Sequence, residues 1–123
     1  MDHIYSRGEI YYANLTGTFG SEESGYRPVV IIQNDIGNRF SPTVIVAPIS
    51  SKVGIKAKLP THCYIGEELL SCPSIIMTEQ LRTLDKQRLA DYVGKLGSED
   101  MRNLNFALSV SIGLKDAKEN SDG

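Results

Sequence analysis

Apolar residues in this chain gather first in short runs of strand length and, near the end, in a stripe of helical period. Glu9 to Leu15 (EIYYANL) mixes β-formers with partial alternation, Pro28 to Gln33 is a charge-free apolar run, and Thr43 to Ile49 (TVIVAPI) is another. These patterns predict strands, the second of them buried. Further strands are predicted over Thr61 to Ile65, Ser74 to Arg82 (SIIMTEQLR) and Leu89 to Leu96. The turn-rich NDIGNRFSP, with Asn34, Asp35, Gly37, Asn38 and Pro42, reads as a hairpin connection with an elaborated loop, and Asp85 to Arg88 as one helical turn. The last element is a helix. Ser98 is placed to cap it, Glu99 and Asp100 sit where its dipole favours anions, and Met101, Leu104, Leu108 and Ile112 recur on one face. Ala107, Val110 and Leu114 widen that stripe, which is expected to pack as core. Short strands separated by turn signals predict a mainly β fold, a small barrel or sandwich, and nothing repeats at a fixed period.

Length changes the picture little: 123 residues suit a single domain over residues 1–115, followed by a polar tail at 116–123 with no apolar anchor after Leu114. Charge changes it more. A formal net charge of −2 excludes a chain that coats nucleic acid by charge alone, so any nucleic-acid site must be local. Cys63 and Cys72 form no CxxC and are too few for a zinc site, so free thiols in a reducing cytosol are expected. The N-terminus MDHIYSRGEI lacks the apolar run of a signal peptide, and no segment approaches the roughly 18 apolar residues of a membrane helix. A soluble, cytoplasmic protein without membrane, metal or cofactor is the expectation.

The chemistry concentrates at Gly20 to Asp35 (GSEESGYRPVVIIQND), where Arg27 stands between a glycine-rich acidic loop and an apolar strand. Glycines let that loop bend closely around a ligand, and Pro28 fixes entry to the strand. A guanidinium held there can fork two hydrogen bonds onto a phosphate; the same arginine could instead pair with Glu22 or Glu23 and tie the loop down. Ser50 and Ser51 end the strand VIVAPISSK, and alternation lets only one hydroxyl share a face with Arg27. His3 lies near the terminus, and alternation is expected to point His62 outward, so no activated-serine or metal-ligand constellation assembles.

The segments RGEIYYANL, GSEESGYRPVVIIQNDIGNRFSPTVIVAPI, KAKLPTH and TEQLRTLDKQRLADYVGKL closely resemble the MazF/PemK endoribonuclease toxins of type II toxin–antitoxin modules, in particular those of Gram-positive bacteria. The resemblance runs from about Arg7 to Leu114 and implies an SH3-like barrel shared with the gyrase poison CcdB, closed by a C-terminal helix and assembled as a homodimer. It also implies a sequence-specific, metal-independent cut in single-stranded RNA at a short U/A-rich word such as UACAU, and a MazE-like antitoxin as partner. By position, the family's catalytic arginine falls on Arg27 and its catalytic threonine on Ser50. Serine keeps the hydroxyl but loses the β-methyl that restricts its rotamer. Cys72-Pro73-Ser74 departs from the family's acidic residue in that loop. Phe19 and Tyr26 are base-stacking candidates, Asn34, Asn38, Gln80 and Arg82 candidates for base recognition, and Lys56, Lys58 and Arg88 for backbone phosphates; Glu22 completes the expected RNA-binding set. A competing function on the same fold is a non-enzymatic gyrase poison of CcdB type acting through the C-terminal helix, and a third is an inactive RNA-binding relative.

Overall fold

The computed structural model describes residues 3–54 and 59–118. Its strands are β1 (Glu9–Asn14), β2 (Tyr26–Ile31), β3 (Thr43–Ser50), β4 (His62–Ile65), β5 (Ser74–Met77), β6 (Arg82–Asp85) and β7 (Leu89–Lys95). Helix α1 (Asp35–Phe40) lies between β2 and β3, and α2 (Ser98–Ser111) ends the fold. The strands pair antiparallel in the order β4-β5-β3-β2-β1-β7, with β6 joined to β3. β3 organises this sheet. One end of it, Thr43 to Val46, pairs with β6; Ile49 and Ser50 at the other end pair with β5; and Val46 to Pro48 pair with β2.

Both faces of the central strands are covered, which is why their sequences are continuous apolar runs. Tyr11, Ala13, Val29, Ile31, Val44, Val46 and Leu84 form one core. Ile10, Val30, Ala47, Ile49 and Ile76 form the other, against Leu104 and Ala107 of α2. Burying a side chain such as Leu104, which has no exposed surface, contributes roughly 1.5–3 kcal/mol. Gly8, at φ 92°, accepts from Leu96 N–H at 3.0 Å, and a Cβ there would meet the Met101 sulfur at 2.8 Å. A glycine therefore lets α2 close onto the start of β1.

Several expected elements take a different form. NDIGNRFSP is not an irregular hairpin loop, because its first residues wind into α1. Asn34 caps that helix by accepting from Gly37 N–H at 2.8 Å, the role asparagine plays best at an N-terminus. Ser74 to Arg82 is not one strand. The buried Thr78 donates to the carbonyl of Thr61 at 2.5 Å or of Ala107 at 3.2 Å, and a 3-10 turn over Thr78–Gln80 carries the chain from β5 to β6. A 3-10 turn also occupies Lys86–Arg88. The cap of α2 is Gly97, with Ser98 already helical and making no side-chain cap. Its stripe buries Leu104 and Ala107, leaves Met101 and Leu108 half-buried, and exposes Ile112 and Leu114 beyond the helix end. The polar tail begins with the chain still wound, since Leu114 and Lys115 N–H both donate to Ser109 O; residues 119–123 lie outside the described residues.

His62 points inward rather than outward. Its side chain is 3% exposed, and Nε2 lies 3.0 Å from Glu79 Oε2, a carboxylate that also accepts from Thr61 Oγ1 at 2.8 Å. Twist at the short β4 strand and the adjacent 3-10 turn bring this partner over the imidazole, which removes His62 from any solvent-facing chemistry.

Candidate active site

Strand register assembles the site. Residues opposite one another on paired strands share a face, and Ala13 opposes Arg27, Val29 opposes Pro48, and Val46 opposes Arg82. Stepping by two along β2 and β3 places Arg27, Pro48 and Ser50 on one face. Ser51 falls on the other, with Ile49. By register Ser50 shares a sheet face with Arg27 and Arg82, while Ser51 lines the hollow that the Arg27 side chain reaches.

Arg27 is half-buried and donates from Nε to the Ser24 carbonyl at 3.0 Å. Among the described residues it has no carboxylate partner, so the pairing with Glu22 or Glu23 that would make it a mere loop tie is not formed. Glu22 instead accepts from the Phe19 N–H within its own loop. Ser50 is buried, with Oγ accepting from Lys52 N–H at 3.2 Å. That bond occupies a lone pair and leaves the hydroxyl proton available to donate.

The loop from Leu15 to Gly25 is pinned over this face. Gln80 Oε1 accepts from Glu23 N–H at 2.8 Å, while Arg88 and Arg82 donate to the Thr16 carbonyl at 3.1 and 3.4 Å. Gly25, at φ 81°, closes the loop by accepting from Leu15 N–H at 2.9 Å. Between loop and 3-10 turn lies a hollow of about 200 Å³ walled by Glu22, Glu23, Pro48, Glu79, Gln80 and Arg82, three carboxylates against one cation. Phe19 stands at the loop's exposed tip, 88% accessible.

A second hollow, about 120 Å³, adjoins Arg27 from the other face and is walled by Tyr12, Ser51, Cys72 and Ser74 over Ile49 and Leu70. Sequence reasoning missed Tyr12 and Ser74, because cross-strand register is not written in residue type. Ser71, at φ 67°, turns the chain so that Cys72 reaches this wall. A larger concavity, about 490 Å³, opens at the start of α2, but Glu68, Glu99 and Asp100 line it. Burial first, then Glu68 and Glu99, raise the Asp100 pKa. Such a cluster repels phosphates, so the 120 Å³ hollow, lined by Arg27 and by no carboxylate, fits an anionic substrate better.

Two expected base readers have structural duties in α1. Asn34 is committed to capping α1. Asn38 is 1% exposed; its Nδ2 donates to Gln33 O at 2.8 Å and Asp35 Oδ1 at 3.1 Å, and its Oδ1 accepts from Gln33 Nε2 at 3.2 Å. The Asp35 carboxyl is held below its ordinary pKa by the Arg7 N–H and then by this amide. Both asparagines build α1, but only Asn38 has its amide fully used; Asn34 spends its oxygen on the cap and stays exposed. Lys56 and Lys58 lie outside the described residues.

The thiols differ. Burial, then Asp100, pushes Cys63 up to about 12, whereas Cys72 is half-buried on the hollow's wall. Iodoacetamide at pH 8 is expected to modify Cys72 alone in the native protein and both thiols after denaturation, read by mass spectrometry. Equal rates for the two native thiols would contradict the buried placement of Cys63.

Comparison with known proteins follows the same lines. The family model for PemK-like, MazF-like toxins of type II toxin–antitoxin systems matches residues 6–112. The chain belongs to this family. It is 50% identical over 115 residues to endoribonuclease EndoA of Bacillus subtilis, covering 92% of this chain and 98% of the relative. To endoribonuclease MazF of Staphylococcus saprophyticus it is 49% identical over 110 residues, covering 88% and 91%. A solved mycobacterial endoribonuclease in complex with its cognate antitoxin superimposes with a TM-score of 0.76 at 25% identity, over 90% of this chain and 97% of that one. The antiparallel barrel with its C-terminal helix is thus the fold of the MazF toxins, as the sequence resemblance implies. Among the described residues no helix is long and apolar enough to cross a membrane.

Proposed function

We propose that this MazF-type toxin is a sequence-specific, metal-independent endoribonuclease acting on single-stranded RNA at a short U/A-rich word such as UACAU. The observation that carries the reading is the shared sheet face of Arg27, Ser50 and Arg82, cations and a hydroxyl, with no carboxylate paired to Arg27 among the described residues. RNA brings its own nucleophile. The 2′-oxygen attacks the adjacent phosphorus, the P–O5′ bond breaks, and a 2′,3′-cyclic phosphate and a 5′-hydroxyl result. The protein's task is to align these groups and stabilise the charge that develops on the phosphoryl oxygens. Arg27 clamps that charge through its fork, and Ser50 donates to a non-bridging oxygen. An arginine, with pKa above about 12, is a poor general acid at neutral pH, so its electrostatic role dominates. Because Ser50 is buried, RNA must open the neighbouring chain to reach it.

Gln80, Arg82 and Arg88, already gathered at the loop, are assigned to the RNA together with Glu22, Phe19 and Tyr26; Lys56 and Lys58 are assigned to backbone phosphates. The same cationic surface suits the acidic tail of a MazE-like antitoxin, so RNA and antitoxin should compete. The toxin acts as a cytoplasmic homodimer in this reading, supported by the exposed Ile112 and Leu114 after α2, and sedimentation equilibrium returning a monomer would contradict that part.

End chemistry tests the reaction. Fragments should accept phosphate from polynucleotide kinase at their 5′ ends without prior dephosphorylation, and their 3′ ends should resist ligation until the cyclic phosphate is opened and removed. Fragments with 5′-phosphates would contradict attack by the 2′-hydroxyl. Alkylating Cys72, on the wall beside Arg27, should also slow cleavage in the wild type and not in Cys72→Ala.

A further inference from the structure

Next to Arg27, on the face of β2 opposite to Ser50, lies a built aromatic surface that gives the assignment of Tyr26 to RNA a specific geometry. Tyr26 opposes Asn14 across β1 and β2, and Tyr12 precedes Asn14 by two, so the two tyrosines are diagonal neighbours on one face. Their rings stack at 5.2 Å with an interplanar angle of 14°. One face of Tyr26 is therefore backed by Tyr12 while the residue as a whole remains 55% exposed. Its hydroxyl donates to Asp91 Oδ2 at 3.0 Å.

Asp91 reaches Tyr26 because β7 is irregular. Ala13 opposes Leu89 and Tyr11 opposes Tyr92, so two steps on β1 match three on β7. That extra residue is a β-bulge, a device that redirects a side chain and recurs beside active sites. The bulge spans Ala90 and Asp91 and lets the carboxylate cross β1 to a tyrosine two strands away. A half-exposed ring braced on one face and fixed at its hydroxyl loses little freedom when a flat ligand lands on the other. The hollow formed by Tyr12 is also lined by Arg27, so a strand whose phosphate sits on Arg27 can lay its next base here.

We propose that Tyr26, backed by Tyr12 and oriented by Asp91, is a base-stacking platform for the nucleotide next to the scissile phosphate. Tyr26 contacts RNA; Tyr12 and Asp91 are positioning residues acting through it. The proposal rests on the ribonuclease reading for its place beside the cut, but its binding arm is independent of cleavage. A stacked base contributes enough that removing the ring weakens binding by about tenfold or more, tolerantly of sequence.

The test uses fluorescence anisotropy with a fully 2′-O-methylated single-stranded RNA, which lacks the nucleophile, alongside kcat and KM on ordinary RNA. Tyr26→Ala should weaken binding and raise KM about tenfold with kcat little changed, and Tyr26→Trp should restore binding. Tyr26→Phe and Asp91→Ala should each cost about threefold, and the double variant no more than either, since both remove the same hydrogen bond. Binding by Tyr26→Ala within twofold of wild type overturns the platform, and additive losses in the double variant overturn the role of Asp91. If Tyr26→Ala instead shifts the sedimentation coefficient or antitoxin affinity while RNA binding holds, the surface is a protein contact and the proposal falls. Wild type that binds the RNA analogue but cleaves nothing removes the nuclease reading while leaving the platform to be decided by binding.

Discussion

Arg27→Ala is expected to lower RNA cleavage about 100-fold or more while leaving the unfolding midpoint within a degree or two of wild type. The rate falls because the guanidinium is the one cation on the Ser50 face that emerges from β2 itself, and losing a single preorganised donor to a charged transition state typically costs about 2.7–4 kcal/mol. Stability holds because the residue is only half-buried, and its one hydrogen bond among the described residues is to Ser24 O. Arg27→Lys should recover little of the rate. Lysine retains the charge but cannot present two parallel donors to a phosphate. Single-turnover kinetics and thermal unfolding on the same preparations check both halves. A variant within threefold of wild-type rate would remove Arg27 from the chemistry, and a large loss of stability would make any rate loss uninformative.

Asn38→Ala should do the reverse, destabilising the fold by roughly 2–4 kcal/mol and leaving cleavage per folded molecule near wild type. The amide bridges Gln33 and Asp35 from a site with almost no solvent access. Removing it strands buried donors and acceptors that water cannot reach. Urea unfolding gives the stability, and kcat/KM under fully folded conditions gives the activity. This pair of results separates a structural amide from a base reader; a stable variant with a changed cleavage word would return Asn38 to the RNA interface.

Asn38 also illustrates what residue type conceals. Asparagine in a turn-rich segment is chemically equipped to read a base, and only the winding of α1 shows that its donors and acceptor are already used. Gln80 poses a related problem, since its carbonyl holds the Glu23 N–H and its access to RNA depends on the loop yielding. The apolar runs of β2 and β3 were legible because both faces are buried, so no alternation was needed to recognise them. Arg27 stood out as a lone cation beside Pro28 and a glycine-rich loop, but residue type left open a loop tie to Glu22 or Glu23, and the resemblance supplied the catalytic reading. The choice between Ser50 and Ser51 was not open to periodicity alone. The family resemblance assigns Ser50 by position, and the pairing of Val29 with Pro48, a long-range fact, puts that residue on the sheet face of Arg27. The same holds for Thr78, whose hydroxyl turns an apparently continuous strand into two, and for the bulge that carries Asp91 to Tyr26. Local pattern specified the strands; register and bulges, set by packing between distant segments, specified which side chains the candidate site brings together.

The most direct test of the central claim is to incubate the purified protein with a long single-stranded RNA in EDTA and map new 5′ ends by primer extension, with Arg27→Ala in parallel. Discrete stops at one short U/A-rich word, present with wild type and absent with the variant, are the predicted result. Intact RNA, or the same stops with the variant, would contradict a metal-independent ribonuclease centred on Arg27.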